Sequence, residues 1–405
     1  MTQITYDLIR SATVAGGPSV LVSTTELAAA GGPHSAVAPA RFVAKGQQGA
    51  VYAYERRYVG HRPVVVVIID SKQSQLNRAE SALVQALEDG HPVLRRLPHM
   101  RVTYRRDGVP ETFTDLTLPH RAYDGHIRAG TVGGVPVTQT ATYRALRDAT
   151  PANARALLET SPITLVFGGW DASRRSRPGR WRSALVGEII GVLADQEADT
   201  RYPALRGGAR VDPVAMQVNL DGPTLEALAD GQRDDLRPDT YQKIVNAAKK
   251  AKDSGVSAAA LGLGGIPPSL EQLAGVACSR IIRSHVLSFA ALRQLRFGAG
   301  PDGDAACRAL LATLALDAVA RSNAELYLRA NCDLVESGPT QLSLDRRAGE
   351  RESLEGLDIA MADALLAEAA DEAVRAGGIR WEGQIFEVEG NPAVVAGALD
   401  SAPEA

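Results

Sequence analysis

The chain has 405 residues, 45% hydrophobic and 22% charged, with a net charge of −3, ordinary values for a soluble globular protein of two or three domains or one elaborated domain. No apolar run approaches the roughly 20 residues of a membrane span, and Cys278, Cys307 and Cys332 show no CxxC spacing, which argues against a disulfide framework or a zinc site. With no signal-peptide pattern at the start, the expected setting is the cytoplasm, without a membrane partner. The net charge conceals an asymmetry: residues 41–182 hold 22 Lys+Arg against 12 Asp+Glu, and residues 341–405 hold 5 against 14. A basic half is either the footprint of a polyanion ligand or a solvated surface. An acidic end suits repulsion from that ligand or a basic neighbouring subunit.

In chain order, Val20–Val22 is a short apolar run among Ala- and Gly-rich turns. Ala50–Tyr54 and Val64–Ile69 flank ERRYVGHRP and read as a hairpin or neighbouring strands, with Arg41 and Lys45 at the mouth of the unit. Val64–Ile69 is unbroken and β-branched, so both its faces should be covered. At Asp70 the chain turns polar, DSKQSQLNR, and Leu76, Ala79, Leu83, Val84 and Leu87 then recur at helical spacing up to Gly90. A buried strand thus delivers a cationic turn to a helix start, a natural seat for phosphate. Alternatively, Asp70, Ser71 and Ser74 only cap the helix.

Residues 91–118 read as a β-excursion. PHRAYDGHIRAG follows, and Tyr143–Thr160 is helical but interrupted at Pro151. Ile163–Phe167 predicts a buried strand ending in Gly-Gly-Trp-Asp. SRRSRPGRWR sets Arg174, Arg175, Arg177, Arg180 and Arg182 around Trp181. Helical spacing is predicted for Ser183–Leu193, Pro238–Lys252, Cys278–Phe297, Asp304–Ala320 and Gly349–Arg375. Strands are predicted at Leu326–Asn331 and Trp381–Val388. On the Cys278–Phe297 helix, Arg280, Arg283, Arg293 and Arg296 would occupy the faces away from its apolar side. Short strands alternating irregularly with longer helices give an α+β fold, with residues 1–194 and 276–405 as the core and 195–275 as an inserted subdomain.

Enzyme templates fail on inspection. The chain contains no GxxxxGK[ST], HExxH or GxSxG, and no GxGxxG follows the Val64–Ile69 strand. LGLGGIPPS reads as a loop, because Pro267-Pro268 forbid the usual helix start. His120, Asp124 and His126 match no common metal spacing, so no cofactor or metal is expected. Nucleic acid fits better: Arg forks bind phosphate bidentately and an interleaved aromatic stacks on a base. SRRSRPGRWR has that mixture, with a solvated loop or an interface with an acidic partner as the alternatives.

With DSKQSQLNRAE, PHRAYDGHIR, SPITLVFGGWDAS and YLRANCDLV in that order, the chain resembles the backbone subunit of the type I-G (formerly I-U) CRISPR Cascade complex, of the RAMP superfamily. The matching segments run from about Arg41 to Val335. Leu76 and the Gly125-His126 pair depart from the family's pattern. The resemblance implies an RNA-recognition-motif-like (ferredoxin-like) core with large insertions in a hand-like shape. It implies copies stacked head-to-tail along a CRISPR RNA, gripping its sugar–phosphate backbone and leaving its bases to pair with target DNA beside other Cascade subunits. The implied contacts are Ser71, Lys72, Gln73, Ser74, Gln75, Asn77 and Arg78, with His120 and Arg121. Arg41, Lys45, Arg128, Arg283 and the SRRSRPGRWR residues join the RNA-binding set on charge, with Trp181 for stacking. A guide-binding subunit must accept any spacer, so it should read backbone and shape while pairing reads sequence. The expected protein is not an enzyme. The rival is a RAMP-type endoribonuclease using His120 and Asp124.

Overall fold

The computed structural model describes residues 1–43, 50–106, 109–171, 179–201, 204–208, 217–251, 255–264, 268–271 and 273–397. The chain is a mixed α+β protein with two compact units: Met1–Phe42, Tyr52–Ala198 and Val276–Ala405 form the first, Val43–Val51 and Asp199–Gly275 the second. No helix among the described residues is long and apolar enough to cross a membrane.

The first unit is built on an eight-stranded sheet. Its strands are β1 (Val20–Ala29), β2 (Tyr54–Val59), β3 (Arg62–Asp70), β8 (Leu185–Leu193), β9 (Cys278–Ser288), β10 (Leu334–Glu336), β11 (Gln341–Asp345) and β12 (Arg351–Leu354). The order is β12-β11-β1-β9-β8-β3-β2, with β10 also paired to β1 and every pairing antiparallel. Between β3 and β8 in sequence come helix α1 (Lys72–Glu88), strands β4 (His99–Arg106) and β5 (Val109–Thr114), helix α2 (Pro162–Phe167) and the ribbon β6 (Gly169–Trp170) with β7 (Arg180–Trp181). Helix α3 (Gly300–Glu325) follows β9, and α4 (Ile359–Gly377) precedes β13 (Ile385–Glu389), which adds parallel to β4 in a second sheet.

As the β-branched run requires, β3 is covered on both faces. Val66 and Ile68 pack with Ile190 and Val192, while Val67 and Ile69 are fully buried. β2 and β3 form a hairpin registered from Tyr54↔Val67 to Val59↔Arg62, but its first strand is the ERRYV segment expected as the connection, and the expected strand at Ala50–Tyr54 is a separate short one over Ala50–Tyr52. Helix α1 buries Leu76, Ala79 and Leu83 and packs with α3 in the main core. Gly303 allows α3 to cross α4 closely, since a Cβ there would meet the Ala376 carbonyl oxygen at 2.6 Å.

Several expectations are corrected. Cys278–Ser288 is a strand, and only the four residues Phe289–Leu292 are helical. Its buried positions alternate through Ile281, Arg283, His285 and Leu287, and two of these are polar residues that a hydrophobic pattern assigns to the surface. Ser183–Leu193 is likewise dominated by a strand, β8, laddered to β9 and β3. Ile163–Phe167 lies instead in α2, a helix buried throughout, because a continuous apolar run carries no period to separate helix from strand. Leu326 caps α3 in the left-handed region, φ 42°, and the strand falls later, at Leu334–Glu336. Tyr143–Thr160 holds two short helices, Ala141–Arg147 and Arg155–Leu158. Within Gly349–Arg375 the helix begins only at Ile359, after β12. Within the β-excursion expected over 91–118, Asp107 and Gly108 lie outside the described residues.

The second unit has its own small core, in which Leu225 and Ala229 of helix Gly222–Asp230 meet Ile244 and Ala248 of helix Pro238–Lys250. Two short strand pairs accompany it, Arg206–Gly208 with Ser269–Glu271 and Asn219–Leu220 with Val256–Ser257.

Just after β5, Asp115 is fully buried and its Oδ1 accepts the Met100 N–H at 3.0 Å. Burial pushes its carboxyl up to about 7, against the opposing pull of the Ser161 hydroxyl and the Met100 N–H. The folded value lies above the unfolded one, so the stability tied to the neutral acid is fully present below about pH 4 and is lost as pH rises through about 7. Within that window the group should cost up to about 1.4 kcal/mol per pH unit. Asp115→Asn keeps the acceptor and removes the titration, so urea unfolding at a series of pH values should give a flatter profile for the variant. Parallel profiles would contradict this.

Candidate nucleic-acid interface

The polar stretch after β3 folds around one carboxylate. Asp70 ends the strand fully buried. Its oxygens accept hydrogen bonds from Ser74 Oγ at 2.9 Å, Gln75 Nε2 at 2.7 Å and Arg78 Nε at 2.9 Å. Arg329, from the YLRANCDLV stretch, completes the set with an ion pair to Asp70 and a 2.6 Å hydrogen bond to the Ile69 carbonyl. Burial pushes the Asp70 carboxyl up, but the hydrogen bonds from Arg78 and Gln75 and the two guanidinium charges outweigh it, holding the group below its usual value. Ser71 is the N-cap, accepting the Ser74 N–H at 3.3 Å. Of the expected contact set, Gln75 is thus buried and Ser74 and Arg78 are half-buried and internally bonded, whereas Lys72, Gln73 and Asn77 are exposed. The first turn of α1 carries no acidic residue, so its unbonded N–H groups and the helix dipole present positive potential there.

A second buried pair ties the next motif to the same helix. Glu80, 3% exposed, receives a bidentate hydrogen bond from Arg121. Arg121 also donates to the Gly168 carbonyl at 3.0 Å and lies 5.7 Å from the Phe167 ring centroid. Its φ of 51° is unusual for a side-chain-bearing residue and turns the guanidinium inward, while His120 is exposed. Asp124, 3% exposed, caps the following turn by accepting the N–H groups of His120 and His126 at 3.1 and 2.9 Å.

The β6–β7 ribbon separates the aromatic residues. Successive strand residues point to opposite faces: Arg180 is exposed and Trp181 is buried, its Nε1–H donating to the Tyr123 hydroxyl at 2.6 Å. Trp181 therefore packs the core. The accessible ring is Trp170, 52% exposed and paired in register with Arg180. Trp170 was missed because nothing in the sequence separates it from Trp181. Arg182 and Arg41 are exposed, and Ala40, beside Arg41, donates its N–H to the Ile69 carbonyl. Arg128 lies 3.5 Å from Asp171. Arg283, expected on a helix surface, is 1% exposed within β9 and paired with Glu336. Lys45, Arg174, Arg175 and Arg177 lie outside the described residues.

The structure thus joins DSKQSQLNR, PHRAYD and FGGWD through Glu80, Arg121 and Gly168. Buried pairs hold the frame, and the exposed remainder among the described residues is Arg41, Lys72, Gln73, Asn77, His120, Trp170, Arg180 and Arg182. This set offers hydrogen bonds and positive charge. No group of three or more His, Cys, Asp or Glu residues among the described residues could hold a metal ion.

Removing Asp70 leaves two guanidiniums facing each other without a counter-charge. Asp70→Ala should cost roughly 3–5 kcal/mol, whereas exposed Lys72→Ala should stay within about 0.5 kcal/mol of wild type. Because the folded value of Asp70 is depressed, its contribution is present above about pH 4 and is lost as pH falls further. Urea unfolding of both variants at pH 7 provides the check, and an Asp70→Ala loss under about 1 kcal/mol would contradict the network's role.

No curated protein matches the chain. Residues 21–196, somewhat under half of it, match the family described as CRISPR-associated protein GSU0053. The matched region runs from β1 into the turn after β8 and contains both buried ion-pair helix contacts apart from Arg329. This similarity supports a CRISPR-associated protein.

Proposed function

We propose that the chain is a non-catalytic backbone subunit of a type I-G Cascade complex. It binds CRISPR RNA along the spacer, stacks head-to-tail with copies of itself beside other Cascade subunits, and presents the guide for pairing with target DNA in antiviral defence. The similarity to a CRISPR-associated family supports the setting. The observation that carries the reading is the division of the polar side chains. Asp70, Arg78, Glu80 and Arg121 satisfy one another internally, while Lys72, Gln73, Asn77, His120, Trp170 and Arg180 face outward. Such an edge grips phosphate and ribose and stacks on any base without specifying sequence.

The topology supports an RNA-recognition-motif-like core of RAMP type. Taken as β1-α1-β8-β9-α3-β11, the chain places its four strands in the antiparallel order β11-β1-β9-β8, the order of a split βαββαβ unit. The elements at 91–118 and the residues 195–275 are then insertions on it. The rival endoribonuclease reading loses support because the Asp124 carboxylate is committed to two backbone N–H groups, leaving the exposed His120 without that carboxylate as its orienting partner.

Filter retention of guide-length RNA at several salt concentrations tests the reading. Log affinity should fall linearly with log salt, and Lys72→Glu with Arg180→Glu should weaken retention similarly for unrelated spacers and shallow the slope by roughly 0.7 per lost phosphate contact. Flat salt dependence, or loss confined to one spacer, would overturn it. Site-specific RNA cleavage abolished by His120→Ala would establish the nuclease instead.

A further inference from the structure

A cavity of about 770 Å³ opens between the sheet and the C-terminal end of α3. Its floor is apolar: Leu21 from β1, Leu185 from β8, Leu287 from β9 and Leu342 from β11. Two polar residues on adjacent strands, Ser23 and His285, break that floor. His285 is 4% exposed and neither ring nitrogen has a hydrogen-bond partner. The chain makes room for this imidazole at Gly187, where a Cβ would come within 2.3 Å of its Cδ2. Burial and the neighbouring Arg283 charge push His285 down to about 3, so at neutral pH the ring is uncharged, with one N–H to donate and one lone pair to accept. Glu325 and Asp358 lie in the cavity wall as exposed acids, with Glu336 already ion-paired to Arg283, and no Lys or Arg is among the described residues that line it. An unpaired buried polar group carries an uncompensated loss of hydration, which an incoming hydroxyl would relieve.

The matching ligand is an aromatic hydroxyl on a basic support. The β2–β3 hairpin carries one: Tyr58 is 74% exposed, flanked by exposed Arg56, His61 and Arg62. The strand registers set the two features apart. Leu185 pairs with Leu287 and Leu287 with Leu21, marking the cavity end of the strands. Val192 pairs with Val66 toward the other end, and the hairpin turn lies beyond that, on the edge strand β2. The hairpin turn therefore projects from the edge strand at the end of the sheet away from Leu21, Leu185 and Leu287. Two different complementary patches make a heterologous, head-to-tail contact, which builds an open array when the rotation from copy to copy does not close a ring.

We infer that the His285 cavity receives the Tyr58 hairpin of a second copy of this chain, the phenol ring on the leucine floor, its hydroxyl at His285, and Arg56 and Arg62 against the acidic wall. The inference rests on the multimeric reading above for its biological setting and names the two surfaces that would meet.

Sedimentation velocity of the full chain, with and without guide-length RNA, tests it, with circular dichroism confirming the fold of each variant. The wild type should self-associate with increasing concentration. Tyr58→Ala on one surface and Glu325→Arg on the other should each weaken association at least tenfold, and Tyr58→Phe should fall between. Each variant should still retain RNA but load it without cooperativity. Association unchanged by either Tyr58→Ala or Glu325→Arg, or a wild type that stays monomeric in both conditions, would overturn the inference. Failure of the wild type to retain RNA at all would instead strike the function proposed above, so the two failures are distinguishable.

Discussion

Everything at the candidate interface depends on one buried carboxylate. Asp70 sits where a strand covered on both faces ends and a helix begins, and it is held by Arg78 from that helix and Arg329 from a segment about 250 residues later in the chain. A carboxylate so far from water persists because two guanidiniums and two neutral donors replace its hydration. The arrangement fixes the entry of α1, the end of β3 and the path after α3 at one point. With Arg78 turned inward, the next outward-facing residues, Lys72, Gln73 and Asn77, acquire defined positions along the first turns of the helix.

The same economy recurs at Glu80 and Arg121, whose pairing joins α1 to the PHRAYD turn and, through the Gly168 carbonyl, to the end of α2. Motifs distant in sequence are thereby held to one helix by charge pairs shielded from salt, while the charges left at the surface remain sensitive to it. A protein that must hold a polyanion of any sequence needs this separation: rigid internal pairs for shape, and solvated cations and amides for grip. The buried Arg283 belongs to the first class, tied to Thr25 and Glu336 within the sheet.

How much was legible in the sequence follows from where polar residues were buried. The β3–α1 unit could be read because its apolar run, cap and helical period all agree. β9 could not, since Arg283 and His285 occupy core-facing positions and left Ile281, Ile282 and Val286 looking helical. The extent of β1 beyond Val22 was hidden by Ser23 and Thr25, both buried. At the site, the motifs were found but the direction of their side chains was not: Gln75, Arg78 and Arg121 face inward only because Asp70 and Glu80 are there to receive them. Trp181, expected to stack on a base, packs the core and Trp170 is the exposed ring, because which face of a two-residue ribbon meets the core is decided by Tyr123, a contact between distant positions.

One exposed polar edge, framed by buried ion pairs, is proposed to hold the guide. Photo-crosslinking of the protein to guide RNAs with randomised spacers, followed by mass spectrometry of the crosslinked peptides, addresses it most directly. The account predicts adducts on the peptides holding Lys72–Asn77 and Trp170, the same for every spacer, and none at Trp181 or Arg283. Crosslinks concentrated away from that edge, or changing with spacer sequence, would contradict it.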